Sequence, residues 1–184
     1  MNMTKATGLL PWLRIYRLYR SAFPRSERKP FSMIYKMTRK GKSDTWYITD
    51  QGRFVGLAIT INGPDRILLD YFAIAEQARN GGYGSQILKT LIAHYAPKSL
   101  FGEIENVIDE GEDLPLRKRR KQFYLRNGLK EMEVMVYLFG VKMELIGTGT
   151  PLTFEEYRNF YAENYSQWAA EHIHPAVYEK EAEH

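Results

Sequence analysis

The chain has 184 residues, 44% hydrophobic and 14% aromatic, enough for one sizeable core, so a single domain over 1–184 is expected. It carries a formal charge of +4 and no Cys, which excludes disulfides, thiolate nucleophiles, covalent Cys carriers and Cys-based zinc sites. No window approaches the roughly 18 uncharged apolar residues of a membrane helix, and the opening "MNMTKATGLLPWLRIYRLYRSAF" lacks an apolar run followed by a small-residue cleavage site, so a cytoplasmic protein with no membrane partner is expected.

Leu13, Tyr16, Leu18, Tyr19 and Phe23 recur at helical spacing until "FPRSERKPF" breaks the pattern, so 1–44 reads as an N-terminal helix and loop. A core over 45–150 follows. Its first part is β-branched and aromatic and is interrupted by "DQG" and "NGPD", which predicts an antiparallel meander of three strands at 45–49, 53–61 and 66–74. Ile87, Leu88, Leu91, Ile92 and Tyr95 then share one helical face, ended by Pro97. "SLFGEIENV" reads as a short strand, and "LPLRKRRKQFYLRNG" as a helix closed by Asn127 and Gly128. The strands "EMEVMVYL" and "VKMELIG" are joined through Phe139 and Gly140. Over 151–184, "TFEEYRNFYAENYSQWAAEHI" begins with Thr153 and Glu156 at capping-box spacing and predicts a single C-terminal helix, followed by the charged, frayed tail "YEKEAEH". This order gives an α/β layer arrangement with one mixed sheet.

Between the third strand and the second helix lies "QARNGGYGSQILK", with three glycines in four residues. A helix N-terminus exposes unpaired N–H groups and a positive dipole end, and small residues let an anion approach closely. Residues 79–85 therefore read as a pyrophosphate cradle or as a turn joining strand to helix. A P-loop would need Gly-Lys-Ser/Thr where Gly84-Ser85-Gln86 stands, and the dinucleotide fingerprint a glycine where Ile87 stands. Neither fits. Arg79, Gly82 and Gly84 match the Arg/Gln-x-x-Gly-x-Gly/Ala signature of the GNAT N-acetyltransferases, and "RRKQFYLRNGLKEMEV" is similar to that family's helix carrying Phe-Tyr and closed by Gly.

The resemblance covers about 45–138. It implies a mixed, mostly antiparallel sheet with splayed fourth and fifth strands, flanked by helices, with the pantetheine arm of acetyl-coenzyme A in the gap. The long C-terminal helix would be an addition, and the strand that usually opens the family's domain would be short, displaced or missing. Backbone N–H groups of Asn80, Gly81, Gly82, Tyr83, Gly84 and Ser85 would hold the pyrophosphate and Arg79 would lend charge. Backbone around Phe72, Ala73 and Ile74 would pair with the pantetheine amides.

Acetyl transfer to an amine needs the amine deprotonated, although its ordinary pKa lies near 10.4, so carboxylates on neighbouring strands are candidate bases. These are Glu105 first, then Glu103 at an alternate position, then Asp70; the alternative for each is a rim charge or a partner for the "RKRRK" run. A backbone N–H near Ile74 could hold the oxyanion, and Tyr124, in the place of the family's acidic tyrosine, would protonate the leaving thiolate; alternatively Phe123 and Tyr124 are core packing. Arg117 to Lys121 reads as solvated helix surface or as a contact for the adenosine 3′-phosphate or an acidic acceptor. His94, His172 and His174 lack a convincing third ligand, so no metal is expected.

The expected activity is transfer of acetyl from acetyl-coenzyme A to a small-molecule or protein primary amine by direct attack in a ternary complex. A non-catalytic coenzyme A-binding module is the alternative, with a nucleic-acid-binding protein behind it. The aromatic-rich terminal helices could pack on the domain or on a second copy in a homodimer.

Overall fold

A computed structural model describes residues 1–178; the expected frayed tail, from residue 179 on, lies outside the described residues. The chain forms two compact units, Met1–Leu91 and the part from Ile92 onward.

The first unit contains β1 (Asn2–Lys5), α1 (Leu9–Ala22), α2 (Phe31–Arg39), β2 (Ser43–Asp50), β3 (Arg53–Asn62), β4 (Arg66–Ile74), a 3-10 turn at Glu76–Ala78 and most of α3 (Tyr83–Tyr95). Its strands pair antiparallel in the order β1-β2-β3-β4. Gln51 and Gly52 take φ values of 46° and 77°, the doubly left-handed geometry that lets two residues connect twisted strands. In β4, Tyr71 pairs with Ile59 and Leu69 with Thr60, so Asp70 is an extra residue in a bulge. Such a bulge interrupts the ladder and re-aims the side chain. Ile15, Leu18 and Tyr19 of α1 and Ile34 of α2 pack with Leu57, Ile59 and Tyr71 of the sheet. Each such aliphatic side chain contributes about 1.5–3 kcal/mol on burial.

The opening strand is short, one of the outcomes expected, and pairs over four residues from Asn2↔Thr49 to Lys5↔Trp46. The segment read as loop contains α2, because Pro30 stands just ahead of the helix, where its missing N–H leaves no helical bond unmade.

The second unit contains β5 (Ser99–Glu105), α4 (Leu114–Arg126), β6 (Lys130–Leu138), β7 (Val141–Gly147), α5 (Phe154–Asn164), α6 (Gln167–Glu171) and β8 (Ile173–Ala176). The strands pair antiparallel in the order β5-β7-β6-β8. Phe139 and Gly140 form the second doubly left-handed turn, with φ values of 49° and 86°. The capping box of Thr153 and Glu156 opens α5, and Phe160 meets the Phe101 ring edge-on at 5.1 Å. The expected C-terminal helix forms as α5 but stops at Asn164 instead of running on. Ser166 accepts a hydrogen bond from the Ala169 N–H at 3.1 Å and caps the short α6 instead, and the chain then leaves as β8 against β6. The α/β class with mostly antiparallel pairing and flanking helices holds.

Candidate active site

The glycine stretch sits between the 3-10 turn at Glu76–Ala78 and α3. Asn80 and Gly82 take left-handed φ values of 63° and 74°. Gly82 needs that freedom, because a side chain there would be strained. The Gln86 N–H bonds to the Gly82 carbonyl at 3.3 Å, so Tyr83, Gly84 and Ser85 occupy the first turn, whose N–H groups a helix leaves without internal partners. A Cβ on Gly81 would approach the Tyr83 ring to 3.1 Å, so glycine keeps this approach open. The Tyr83 hydroxyl donates to Asp50 Oδ2 at 2.8 Å. These bonds pin the start of α3 to the β2–β3 turn, and the Arg79 Nε–H reaches the Ile74 carbonyl at 3.5 Å. Such a loop, with bent backbone leading into the unpaired N–H groups of a helix's first turn, fits a diphosphate. Phe72, Ala73 and Ile74 pair on one side with Ala58, Leu57 and Gly56 of β3.

Asp70, on the bulge, is ion-paired with Lys29 at 2.6 Å and its side chain is almost fully buried. The neighbouring Tyr71 hydroxyl donates to the Glu27 carbonyl at 2.8 Å and accepts from the Lys29 N–H at 3.1 Å, while the Tyr19 hydroxyl donates to the Lys29 carbonyl at 3.0 Å. Burial raises both phenols, and for Tyr71 the Asp70 charge adds to it, so both remain protonated and the segment 27–29 is held as a unit. The Lys29 partnership was not legible in sequence, since 41 residues separate the pair.

In the second unit, Glu103 Oε1 accepts from the hydroxyls of Tyr157 at 2.6 Å and Tyr161 at 2.7 Å. The four-residue spacing of these tyrosines in a helical stretch is the one sequence signal for this arrangement. Glu105 pairs with Arg120 of α4 at 3.0 Å. Tyr124 is half-buried on α4 and its ring meets Phe123 edge-on at 5.1 Å. Burial pushes its phenol up to about 12, with the Arg120 charge pulling the other way. Among the described residues its hydroxyl has no hydrogen-bond partner.

The run from Arg117 to Lys121 is not simply a solvated face. Arg117 is buried and donates to the Asn106 and Asp109 carbonyls, and Lys121 is buried against Glu131 and Glu144. Two of its five cations are therefore withdrawn from any surface stripe that could track a nucleic acid. The His172 ring lies against Trp168, tilted at 35° with centroids 4.1 Å apart. Among the described residues no three His, Asp or Glu side chains converge as for a metal ion, and no helix is long and apolar enough to cross a membrane.

The sequence model of the acetyltransferase (GNAT) family matches residues 12–128, well over half the chain. The chain belongs to the GNAT acetyltransferase family. Solved GNAT structures share its fold. A protein from Bacteroides thetaiotaomicron assigned to this GNAT family is 21% identical with a TM-score of 0.73, covering 92% of this chain and 99% of its own. An aminoglycoside 6′-N-acetyltransferase complexed with coenzyme A is 13% identical with a TM-score of 0.63, covering 80% and 96%. A GNAT acetyltransferase from Elizabethkingia anophelis with acetyl-coenzyme A bound is 17% identical with a TM-score of 0.60, covering 82% and 97%. No curated protein matches the sequence.

Proposed function

We propose that this GNAT protein is an acetyl-coenzyme A dependent N-acetyltransferase acting on a primary amine, and that its two units serve as one catalytic domain, since the family match runs through both. The observation that carries the reading is the left-handed, glycine-rich backbone of 79–85 leading into the first turn of α3. Two GNAT structures of the same fold are described with coenzyme A or acetyl-coenzyme A bound. The backbone N–H groups from Asn80 to Ser85 would hold the diphosphate, with Arg79 adding charge and the strand end at Phe72, Ala73 and Ile74 lying alongside the pantetheine. Bound acetyl-coenzyme A supplies an acetyl group activated as a thioester.

The acceptor amine attacks directly, forming the C–N bond as the C–S bond breaks. We assign the leaving sulfur's proton to Tyr124, which is neutral throughout the physiological range and has a hydroxyl not engaged elsewhere among the described residues. Glu105 is the first choice to take the amine proton, directly or through water, because its ion pair with Arg120 is partly exposed and exchangeable. Glu103, under two phenols, and Asp70, closed by Lys29, stand behind it.

One observation favours a second reading, a coenzyme A-binding module without turnover. All three candidate bases are already engaged by other side chains. Thermal shift with acetyl-coenzyme A, coenzyme A, NAD and ATP in parallel tests the cofactor. Selective stabilisation by the coenzyme A pair, about 2.7 kcal/mol at a hundred times Kd, is expected. No response to acetyl-coenzyme A would overturn the reading. Thiol release against an amine library then separates enzyme from module.

A further inference from the structure

The N-terminal segment "RIYRLYRSAFPRSERK" is basic, and two of its arginines have a destination outside the proposed transfer chemistry. Arg14 and Arg17 lie one turn apart on α1 and face a cavity of about 910 Å³ in the first unit, with Arg53 at the start of β3 contributing a third guanidinium. That volume is within the usual range for small-molecule sites, about 300–1,000 Å³. Leu18, Phe54 and Val55 supply an apolar lining.

The three arginines are short of anions. Among the described residues none forms an ion pair; Arg14 donates only to the Tyr47 hydroxyl, at 2.6 Å, while Arg17 and Arg53 are exposed with no polar partner. Two carboxylates line the same cavity, Asp50 and Glu76. Asp50 is engaged by the Met1 ammonium at 2.8 Å and by the Tyr83 hydroxyl. The cavity thus presents three guanidiniums against one carboxylate that no cation holds. That balance disfavours an ammonium group and favours phosphate or carboxylate, which guanidinium recognises in fork geometry.

We propose that this cavity binds a small polyanion carrying phosphate or carboxylate groups, at a site of its own beside the glycine loop. Its wall at 75–78 runs straight into that loop, whose Tyr83 also lines the cavity. Arg14, Arg17 and Arg53 grip the anion and the apolar lining covers the body of the ligand.

Calorimetric titration of the full chain with inorganic pyrophosphate and with citrate, each with and without saturating coenzyme A, tests this. Saturable 1:1 binding of one probe is expected, and which probe binds names the group. It persists with coenzyme A present, weakens about ten- to hundredfold in Arg17→Gln/Arg53→Gln, and is unchanged in Arg20→Gln, an exposed α1 arginine outside the cavity. Three results overturn the proposal: no saturable binding of either probe; equal weakening in Arg20→Gln; or displacement by coenzyme A together with loss of coenzyme A affinity in the double variant, which would assign the arginines to the cofactor. Failure of coenzyme A to bind at all bears on the transferase reading and leaves this one standing.

Discussion

Replacing Lys121 by Met is a demanding test of how the second unit is held together. The Lys121 side chain is 5% exposed, with Nζ 2.5 Å from Glu131 and 2.9 Å from Glu144, whose side chain is 0% exposed. Burial alone would lower the ammonium's pKa, but the two carboxylates outweigh it and the net direction is up. Met keeps much of the volume and removes the cation beside a fully buried carboxylate. Losing one partner of a buried pair costs about 3–5 kcal/mol. That is a large part of the roughly 5–15 kcal/mol of a whole domain, and at this length it lowers Tm by about 6–20 °C. Urea denaturation followed by circular dichroism measures it. Adding Glu144→Leu should recover most of the loss, because an apolar replacement of both partners is close to neutral. A loss under about 1 kcal/mol, or a double variant no better than the single, would refute the reasoning. The raised folded pKa also fixes a sign. The contribution is complete below the unfolded lysine value near 10.4 and fades as pH rises through the folded value, so the wild type should lose an increment of stability in strong alkali that Lys121→Met lacks.

Further outcomes follow from the loop, the helix tyrosine and the caps. Tyr124→Phe should lower kcat by about a hundredfold or more with little change in the KM for acetyl-coenzyme A; with the phenol at about 12, wild-type kcat should show no alkaline fall from this group below pH 10 or so. Undiminished kcat would remove the acid role. Gly82→Ala, at φ 74°, should cost about 1 kcal/mol in melting experiments and weaken coenzyme A binding at least tenfold in titration, whereas unaltered affinity would mean that the loop does not hold the diphosphate. Tyr157→Phe/Tyr161→Phe strips two donors from Glu103 and should destabilise by about 2–4 kcal/mol in urea, and a change near zero would show that water replaces both. Thr153→Ala should cost about 1 kcal/mol by opening the capping box of α5.

The elements that sequence reveals are those whose local chemistry agrees with their fold. β2, β3 and β4 are rich in β-branched and aromatic residues and are separated by turn residues, and α3 has one apolar face, so both are legible. α2 is hidden because "FSMIYKMTR" is rich in residues equally at home in strands and turns inward only at Ile34 and Met37. The break at Ser166 is local and visible in principle, but the apolar pattern runs through it, and β8 depends on β6 being there to pair with. The glycine loop is legible because backbone geometry demands particular residues. The surroundings of Glu103, Asp70 and Lys121 are not, because identical letters stand for buried and solvated charges: within "RKRRK" only the fold places Arg117 and Lys121 inward and Arg119 and Arg120 outward.

The two terminal strands have a consequence for association. β1 is the outermost paired strand of the first unit and β8 that of the second, each four residues long, and β8 carries Pro175, which has no N–H to offer a neighbouring chain. Edges this short and interrupted are poor templates for strand addition. Growth into a filament through these margins is thereby discouraged, which favours contact with a second copy through side chains over extension of a ladder.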